Sequence, residues 1–420
     1  MVKNKKHKKI LIIGGGLYAC LLAYQLSKQN KYKILLIERA GKLLNNFNTI
    51  SIGKFKLNNG FHAIEIPRCT DFVNFLTKKL HLKLVIRHKI HKLLINRFII
   101  DSQDSFLQWP EDLTRNLRKN FIIKKNDNLN KFYKKKNMEL IKICSKRFSK
   151  KLIDSKHMFI PWFLPKDYKV QDIRDEGHRF REKVRNKKIP FKYAVPKNKT
   201  FEILQKKFYS FLKKRKVLIN FNTQVRFDKK YIELINNKKK EIYSYKEFDK
   251  IFYCSHAPFL LEYANQDHLK KLNKFRRYFT NCIVEIKKKV NFSEMICLNK
   301  NLLNINRISV VNSNKNRSFL QLEIYHKDKN LKKYFKNKII NELTIIFKLR
   351  KKPKYLGHKL SRVVFFPSIN WKKNTSKFIK KWLASSKIKL NIRHDLSGAI
   401  NMAKSWNYAK EDSMLKNRFL

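Results

Sequence analysis

At 420 residues, with 98 Lys and Arg against 31 Asp and Glu, the chain carries a formal charge of +67 and has the length for a large core and two domains, which can be interleaved. Its six cysteines (Cys20, Cys69, Cys144, Cys254, Cys282, Cys297) show neither CxxC nor Cys/His spacing, which argues against a zinc site or a disulfide framework and fits a reducing cytoplasm. The basic residues are mostly Lys and spread along the chain among Asn, Ile and Phe, so a solvated lysine surface is expected ahead of an anionic membrane face, and specific nucleic-acid binding is disfavoured because bidentate Arg donors are few.

In chain order, Met1 to Lys9 is basic and precedes an apolar run, an imitation of a secretory signal. Three glycines inside that run, the lack of a small-residue cleavage site and the strand that follows argue against export. No stretch approaches the roughly 20 apolar residues of a membrane span, and no internal repeat is present.

Ile10 to Ile13 read as a buried strand that breaks at Gly14, Gly15 and Gly16. Ala19, Leu22, Ala23 and Leu26 then recur at helical spacing, and Lys33 to Ile37 form a second strand ending on Glu38. Strand, glycine turn, helix, strand and acid make a βαβ dinucleotide unit. In it Gly14 permits the turn, Gly16 admits a pyrophosphate close to the backbone, and Ala19 lets the helix approach the strand. The helix N-terminus suits phosphate, and an acid at position 38 suits ribose hydroxyls and disfavours a 2′-phosphate.

Ile50, Ile52, Phe55 and Leu57 predict a hairpin turning at Gly53 and Lys54, followed by a tight turn at Asn58, Asn59 and Gly60. At this point the glycine turn, the acid and the Gly60-x-His62 segment resemble the FAD-dependent amine oxidase superfamily, which includes protoporphyrinogen oxidases, phytoene desaturases and, more distantly, UDP-galactopyranose mutases. That family places a Gly-Gly-Arg type turn over the FAD after the acid. Here Leu44, Asn45 and Asn46 occupy its place, with Asn the natural substitute where a left-handed backbone is needed. The resemblance puts Gly60 and His62 beside the isoalloxazine; a core histidine bonded to backbone is the plainer alternative for His62.

Asp71 to Leu80 predict a helix with Phe72, Phe75, Leu76 and Leu80 inward, capped by Thr70 or Asp71. Strands follow between Leu82 and Asp101, then a turn at Trp109 and Pro110, a Lys-rich helical stretch over 113–150, and a loop and charged helix over 159–188 whose Phe159, Trp162 and Phe163 serve a core or a substrate pocket. A helix carrying Phe201, Leu204, Phe208, Phe211 and Leu212 leads to a strand from Val217 to Phe221 and to Asn222, Thr223 and Val225. The resemblance makes these the family's Asn-Thr-x-Val, whose valine backbone meets the adenine. A hairpin over Tyr231 to Tyr245 and a buried strand, Lys250 to Cys254, end in Ser255, His256, Ala257 and Pro258, near the cofactor in the family. Cys254 reads as a buried small residue sooner than a nucleophile.

Strands at Asn281 to Ile286, Ile305 to Val311 and Phe319 to Tyr325 and a helix over Lys333 to Phe347 complete a second domain. The stretch from Ser361 to Trp371, a helix near Lys377 to Ser385 and the segment from Lys389 to Ala409 resemble the family's C-terminal flavin motif. There Gly398, Ala399, Ile400, Asn401 and Met402 match the start of a helix facing the flavin, and Arg393 and His394 replace the usual Gly-Asp or Gly-Arg.

The fold expected from the resemblance is α/β, a Rossmann-like FAD-binding domain (1–70, 191–261 and 351–420) with an inserted α+β substrate domain (71–190 and 262–350). The expected cofactor, FAD, would be met by Gly14, Gly15, Gly16, Leu17, Tyr18 and Ala19, by Glu38, Arg39 and Asn46, by Gly60 and His62, by Val225, Cys254 and Ser255, and by Gly398, Asn401 and Met402. No metal site and no catalytic dyad is visible, as suits a flavin that performs hydride chemistry itself. The leading expectation is an FAD-dependent oxidoreductase acting on a small molecule, cytoplasmic or peripheral at an anionic membrane. A sugar-nucleotide mutase and a non-catalytic nucleotide-binding module are the alternatives.

Overall fold

The computed structural model describes residues 7–59, 64–66, 69–88, 91–95, 98–102, 192–197, 200–236, 239–297, 305–327, 334–365, 369–392 and 402–414. The expectations placed on Gly60, His62, Trp109, 113–150, 159–188, Arg393, His394, Gly398 and Asn401 lie outside the described residues.

β1 (Lys8–Ile13) and β2 (Tyr32–Ile37) flank the helix α1 (Leu17–Ser27) and pair in parallel. They form the middle of a five-stranded parallel sheet, ordered Leu218–Asn220, β2, β1, Lys250–Tyr253, Leu390–Ile392. A parallel sheet needs both faces covered, which is why β1 is an unbroken apolar run. Ile10 and Ile12 point into a core formed with α1, α2 (Thr70–Lys78), helix Ile203–Lys214 and helix Met402–Ser413. Leu11 and Ile13 point into a second core beneath the hairpin strands Thr223–Phe227 and Tyr231–Asn236 and helix Ile369–Ser386.

The predicted stripe on α1 is buried, but so are Tyr18, Cys20, Leu21, Tyr24 and Gln25. The helix is enclosed because Met402–Ser413 lies along its outer side, and a helix apolar all round is one that packs all round. α2 begins one residue earlier than predicted: Cys69 stands at the N-cap, with no side-chain bond, and Thr70 and Asp71 are already helical.

A seven-stranded sheet forms the other half, ordered Lys354–Phe365, Arg276–Ile286, Ser318–His326, Ile305–Ser313, Glu294–Cys297, His91–Ile95, Phe98–Ser102. One face packs on helix Tyr334–Ile346 through Cys282, Val284, Leu320, Leu322 and Ile324. The opposite face meets the predicted hairpin, Thr49–Ile52 with Phe55–Asn58, whose Ile50, Ile52 and Leu57 rest on Ile283. Gly53 makes that turn at φ +54°.

Two elements lie across the expected domain boundaries. Lys354–Phe365, expected with the nucleotide sheet, pairs with Arg276–Ile286 in the seven-stranded sheet. α2, expected in the substrate domain, buries Phe72, Phe75 and Leu76 against α1. Both are amphipathic surfaces whose partner is set by tertiary packing, which periodicity does not reveal.

Candidate nucleotide crevice

The crevice lies at the carboxyl ends of β1, β2 and Lys250–Tyr253, where parallel α/β sheets bind their ligands. Gly14 stands at φ +105°, and its N–H donates to the Ile37 carbonyl at 2.7 Å. A Cβ there would lie 3.1 Å from the backbone of Cys254 and of Ser255, so no side chain fits between the two strand ends. Gly16 is the N-cap of α1 at φ −70°, and a Cβ on it would meet nothing within 4 Å. The first turn of α1 carries no acidic residue and no side-chain cap, leaving its amides for an anion.

Glu38 faces this turn. Its Oε2 accepts the Gly15 N–H at 2.5 Å and its Oε1 the Ala40 N–H at 2.7 Å. A Cβ on Gly15 would strike Glu38 Oε2 at 2.8 Å and Leu43 Cδ2 at 2.9 Å, so the second glycine makes room for the acid rather than for a ligand. The backbone of Glu38 is fixed on both sides, its N–H donating to Asn220 and its carbonyl accepting from Thr223. The acid is thus held at the crevice by both its main chain and its side chain.

Beside Glu38 opens a cavity of about 170 Å³ whose lining includes Gly14, Glu38, Arg39, Val225, Ser255 and Tyr263. That is less than the roughly 300–1,000 Å³ of a whole ligand pocket. Val225 and Phe227 share the inner face of their strand, and the Val225 carbonyl accepts the Tyr263 hydroxyl at 3.1 Å. Phe227 meets the Tyr263 ring edge-on at 5.5 Å, and Tyr263 stacks on Trp382. Burial, with neighbouring Glu262, pushes the Tyr263 hydroxyl up to about 12, so it stays a donor.

Sequence reading missed Gln224, Phe227, Tyr253, Phe259, Glu262 and Tyr263, all of which line this cavity. The period-two alternation that singles out Val225 also selects Phe227. Phe259 lies in the turn Ala257–Leu260, and Glu262 and Tyr263 follow it; the turn throws the chain back over the hairpin, and no local pattern announces that contact.

Other expected residues stand elsewhere. Tyr18 is buried, and its hydroxyl donates to Asp412 at 2.5 Å on the C-terminal helix, so its side chain does not reach the crevice. Ala19 is fully buried beneath α1, and Leu17 and Met402 pack half-buried on the same core. Cys254 donates its N–H to Ile13 at 2.8 Å and keeps its thiol buried, raised well above the ordinary range by desolvation; its backbone, not its sulfur, shapes the turn. Asn46 is exposed. The left-handed residue expected to be an asparagine is instead Leu44, at φ 54° and ψ 40°. Its N–H donates to Gly15, its carbonyl accepts from Phe47 and from Gln205 Nε2, and its side chain is buried; together these hold a conformation that a branched side chain resists.

The chain therefore combines a Rossmann-like parallel sheet with a second, mixed sheet. Residues 12–76 match the family model described as an NAD(P)-binding Rossmann-like domain. The fold is shared with a protein assigned as a protoporphyrinogen oxidase from Exiguobacterium sp. 255-15, at 11% identity and TM-score 0.64, covering 97% of this chain and 98% of that one. It is shared also with reduced UDP-galactopyranose mutase (14%, TM-score 0.63, 97% and 95% covered) and with a putrescine oxidase redesigned in its cofactor binding (10%, TM-score 0.57, 97% and 98% covered). These are proteins of the superfamily that the glycine turn, acid and Gly-x-His segment resemble. Comparison with curated proteins finds no match.

Proposed function

We propose that the protein is an FAD-dependent oxidoreductase of the amine oxidase type, acting on a small molecule by hydride transfer to flavin. The observation that carries this reading is the open α1 N-terminus at Gly16 together with the Glu38 carboxylate, which holds the Gly15 amide of the same glycine turn and lines the adjoining cavity. The residues fit the cofactor: the α1 amides would hold its pyrophosphate, Glu38 would exchange the Gly15 and Ala40 amides for ribose hydroxyls, and Val225 would border the adenine. Arg39 and Ser255 would flank it, with Leu17 and Met402 contributing apolar contact and Asn46 standing at the rim.

When bound, flavin supplies the hydride acceptor. The chain's own part is positional. Gly14 keeps the end of β1 pressed on Cys254 and Ser255, and helix Met402–Ser413, packed along α1, fixes the approach of the third segment of the nucleotide domain. The sheet opposite would present the substrate.

The test is the spectrum of the purified protein. One FAD per chain, with a flavin absorbance band bleached by a substrate and restored by oxygen or another acceptor, is the expected result. A colourless protein that ignores added FAD overturns the reading.

A further inference from the structure

The face of the seven-stranded sheet that carries the hairpin extends past it, and its residues there, Phe279 and Glu323 among them, are buried. Where the hairpin rests, Gln321 Nε2 donates to the Asn58 carbonyl at 3.1 Å and to Asn281 Oδ1 at 2.6 Å. The next rung of the same face is Phe279, opposite Tyr325 on one side and Arg362 on the other, and beyond it Arg277 stands opposite Val364. Arg277 and Arg362 are diagonal cross-strand neighbours, about 7–8 Å apart at Cα, within reach of one shared group.

A third arginine on this face shows by contrast what these two lack. Arg307 lies 3.6 Å from Glu294 and 3.9 Å from Glu323, one carboxylate on each adjacent strand, and its charge is balanced within the sheet. Arg362 lies with its guanidinium 4.8 Å from the centre of the Phe279 ring and bonds the Tyr325 hydroxyl. Arg277 donates through Nη1 to the Arg276 carbonyl at 2.7 Å. Among the described residues no carboxylate lies in ion-pair range of either, whereas the Nε–H of each, like that of Arg307, is buried without a hydrogen-bond acceptor. Burial lowers the Arg277 guanidinium from its ordinary value, the response of a cation with no anion near it. Two half-buried, unbalanced guanidinium forks on one face are costly unless an anion joins them, and a planar or tetrahedral oxyanion is the group whose geometry they match.

We propose that Arg277 and Arg362 recognise an anionic group of the substrate, a carboxylate or a phosphate, beside the half-buried Tyr325 ring. This deepens the flavoenzyme reading by naming the substrate class, since Asn58, seated on the same face, leads into the Gly60-x-His62 segment expected beside the flavin.

The experiment uses the full chain, as purified and after saturation with FAD, and labels arginines with phenylglyoxal in the presence of benzoate, phenyl phosphate or benzylamine, with peptide mass mapping. Benzoate or phenyl phosphate should slow labelling of both Arg277 and Arg362 about tenfold, the loss expected when a charge-assisted fork is occupied, and leave exposed Arg350 unchanged. Which of the two anions protects identifies the group; benzylamine should protect neither. In calorimetry with the protecting anion, Arg277→Gln and Arg362→Gln should each weaken binding about tenfold, and Arg350→Gln should not. Equal protection of Arg350, protection by benzylamine, no protection by either anion, or a folded Arg362→Gln that binds like Arg350→Gln overturns the proposal. If the variants do not fold, the labelling of the unaltered chain decides. A protein without flavin would overturn the flavoenzyme reading and leave this labelling pattern standing, so the two failures are distinct.

Discussion

Gly14 and Gly16 are neighbours in one turn with opposite sensitivities. Gly14→Ala places a Cβ at φ +105° and 3.1 Å from two backbone atoms, a strain of roughly 1–3 kcal/mol, so a urea melt should show lowered stability and FAD binding should weaken with it. Gly16→Val adds its side chain to open space at an ordinary φ. The expected outcome is a stability close to the parent and a clearly lower affinity in FAD titration, because the space filled is where the pyrophosphate would pass; unchanged affinity would move the phosphate elsewhere. These residues were legible in the sequence because their constraint is local: strand, turn, helix and acid fall within 31 consecutive positions, 8–38. Tyr18 was not. Its partner Asp412 lies 394 positions away, and nothing near Tyr18 distinguishes a cofactor contact from a buried hydroxyl awaiting a carboxylate.

Among the elements, helix Met402–Ser413 depends on α1 through that bond. Tyr18→Phe keeps the ring and removes a hydroxyl donor from buried Asp412, costing roughly 1–3 kcal/mol in denaturant unfolding. Helix Ile369–Ser386 is seated on His268, whose ring stacks on Trp371 at 5.0 Å and whose Nε2 lies 3.0 Å from Thr375 Oγ1. Burial lowers the His268 pKa below its ordinary value. The folded state therefore releases this proton more readily than the unfolded chain. Stability from this group is complete above the unfolded value of about 6.5 and declines as pH falls from there through the lowered folded value. Thermal unfolding followed from pH 8 to pH 5 should show the decline, and His268→Gln should flatten it. Strands Arg276–Ile286, Ile305–Ser313 and Ser318–His326 and helix Tyr334–Ile346 were readable from periodicity, whereas the short strand Glu294–Cys297 was not. The partners of Thr70–Lys78 and Lys354–Phe365 were not, because an apolar face states that it packs without stating on what.

For the whole molecule, the charge of +67 is the dominant long-range term. Surface lysines repel one another over about 10 Å at 0.1 M salt, and such repulsion opposes compaction. The midpoint of thermal unfolding should rise between about 0.02 and 0.3 M sodium chloride; a flat response would show that the charge is balanced locally. Among the described residues no helix is long and apolar enough to cross a membrane. The architecture was readable because a βαβ unit and a later strand ending in a small-residue turn imply one sheet. The division of the remaining strands between two sheets depended on long-range pairing.

That parallel sheet draws its strands from residues 8–37, 218–220, 250–253 and 390–392. A ribosome emits them in that order, with the outermost strand and the helix that encloses α1 coming last of these elements. Until then Lys250–Tyr253 has an unpaired rim and α1 an uncovered apolar flank, surfaces that invite wrong partners in a nascent chain. The crevice is therefore completed only after position 390 has been made: chains halted before it should engage chaperones and fail to retain added FAD, although every residue of the glycine turn has long since left the exit tunnel.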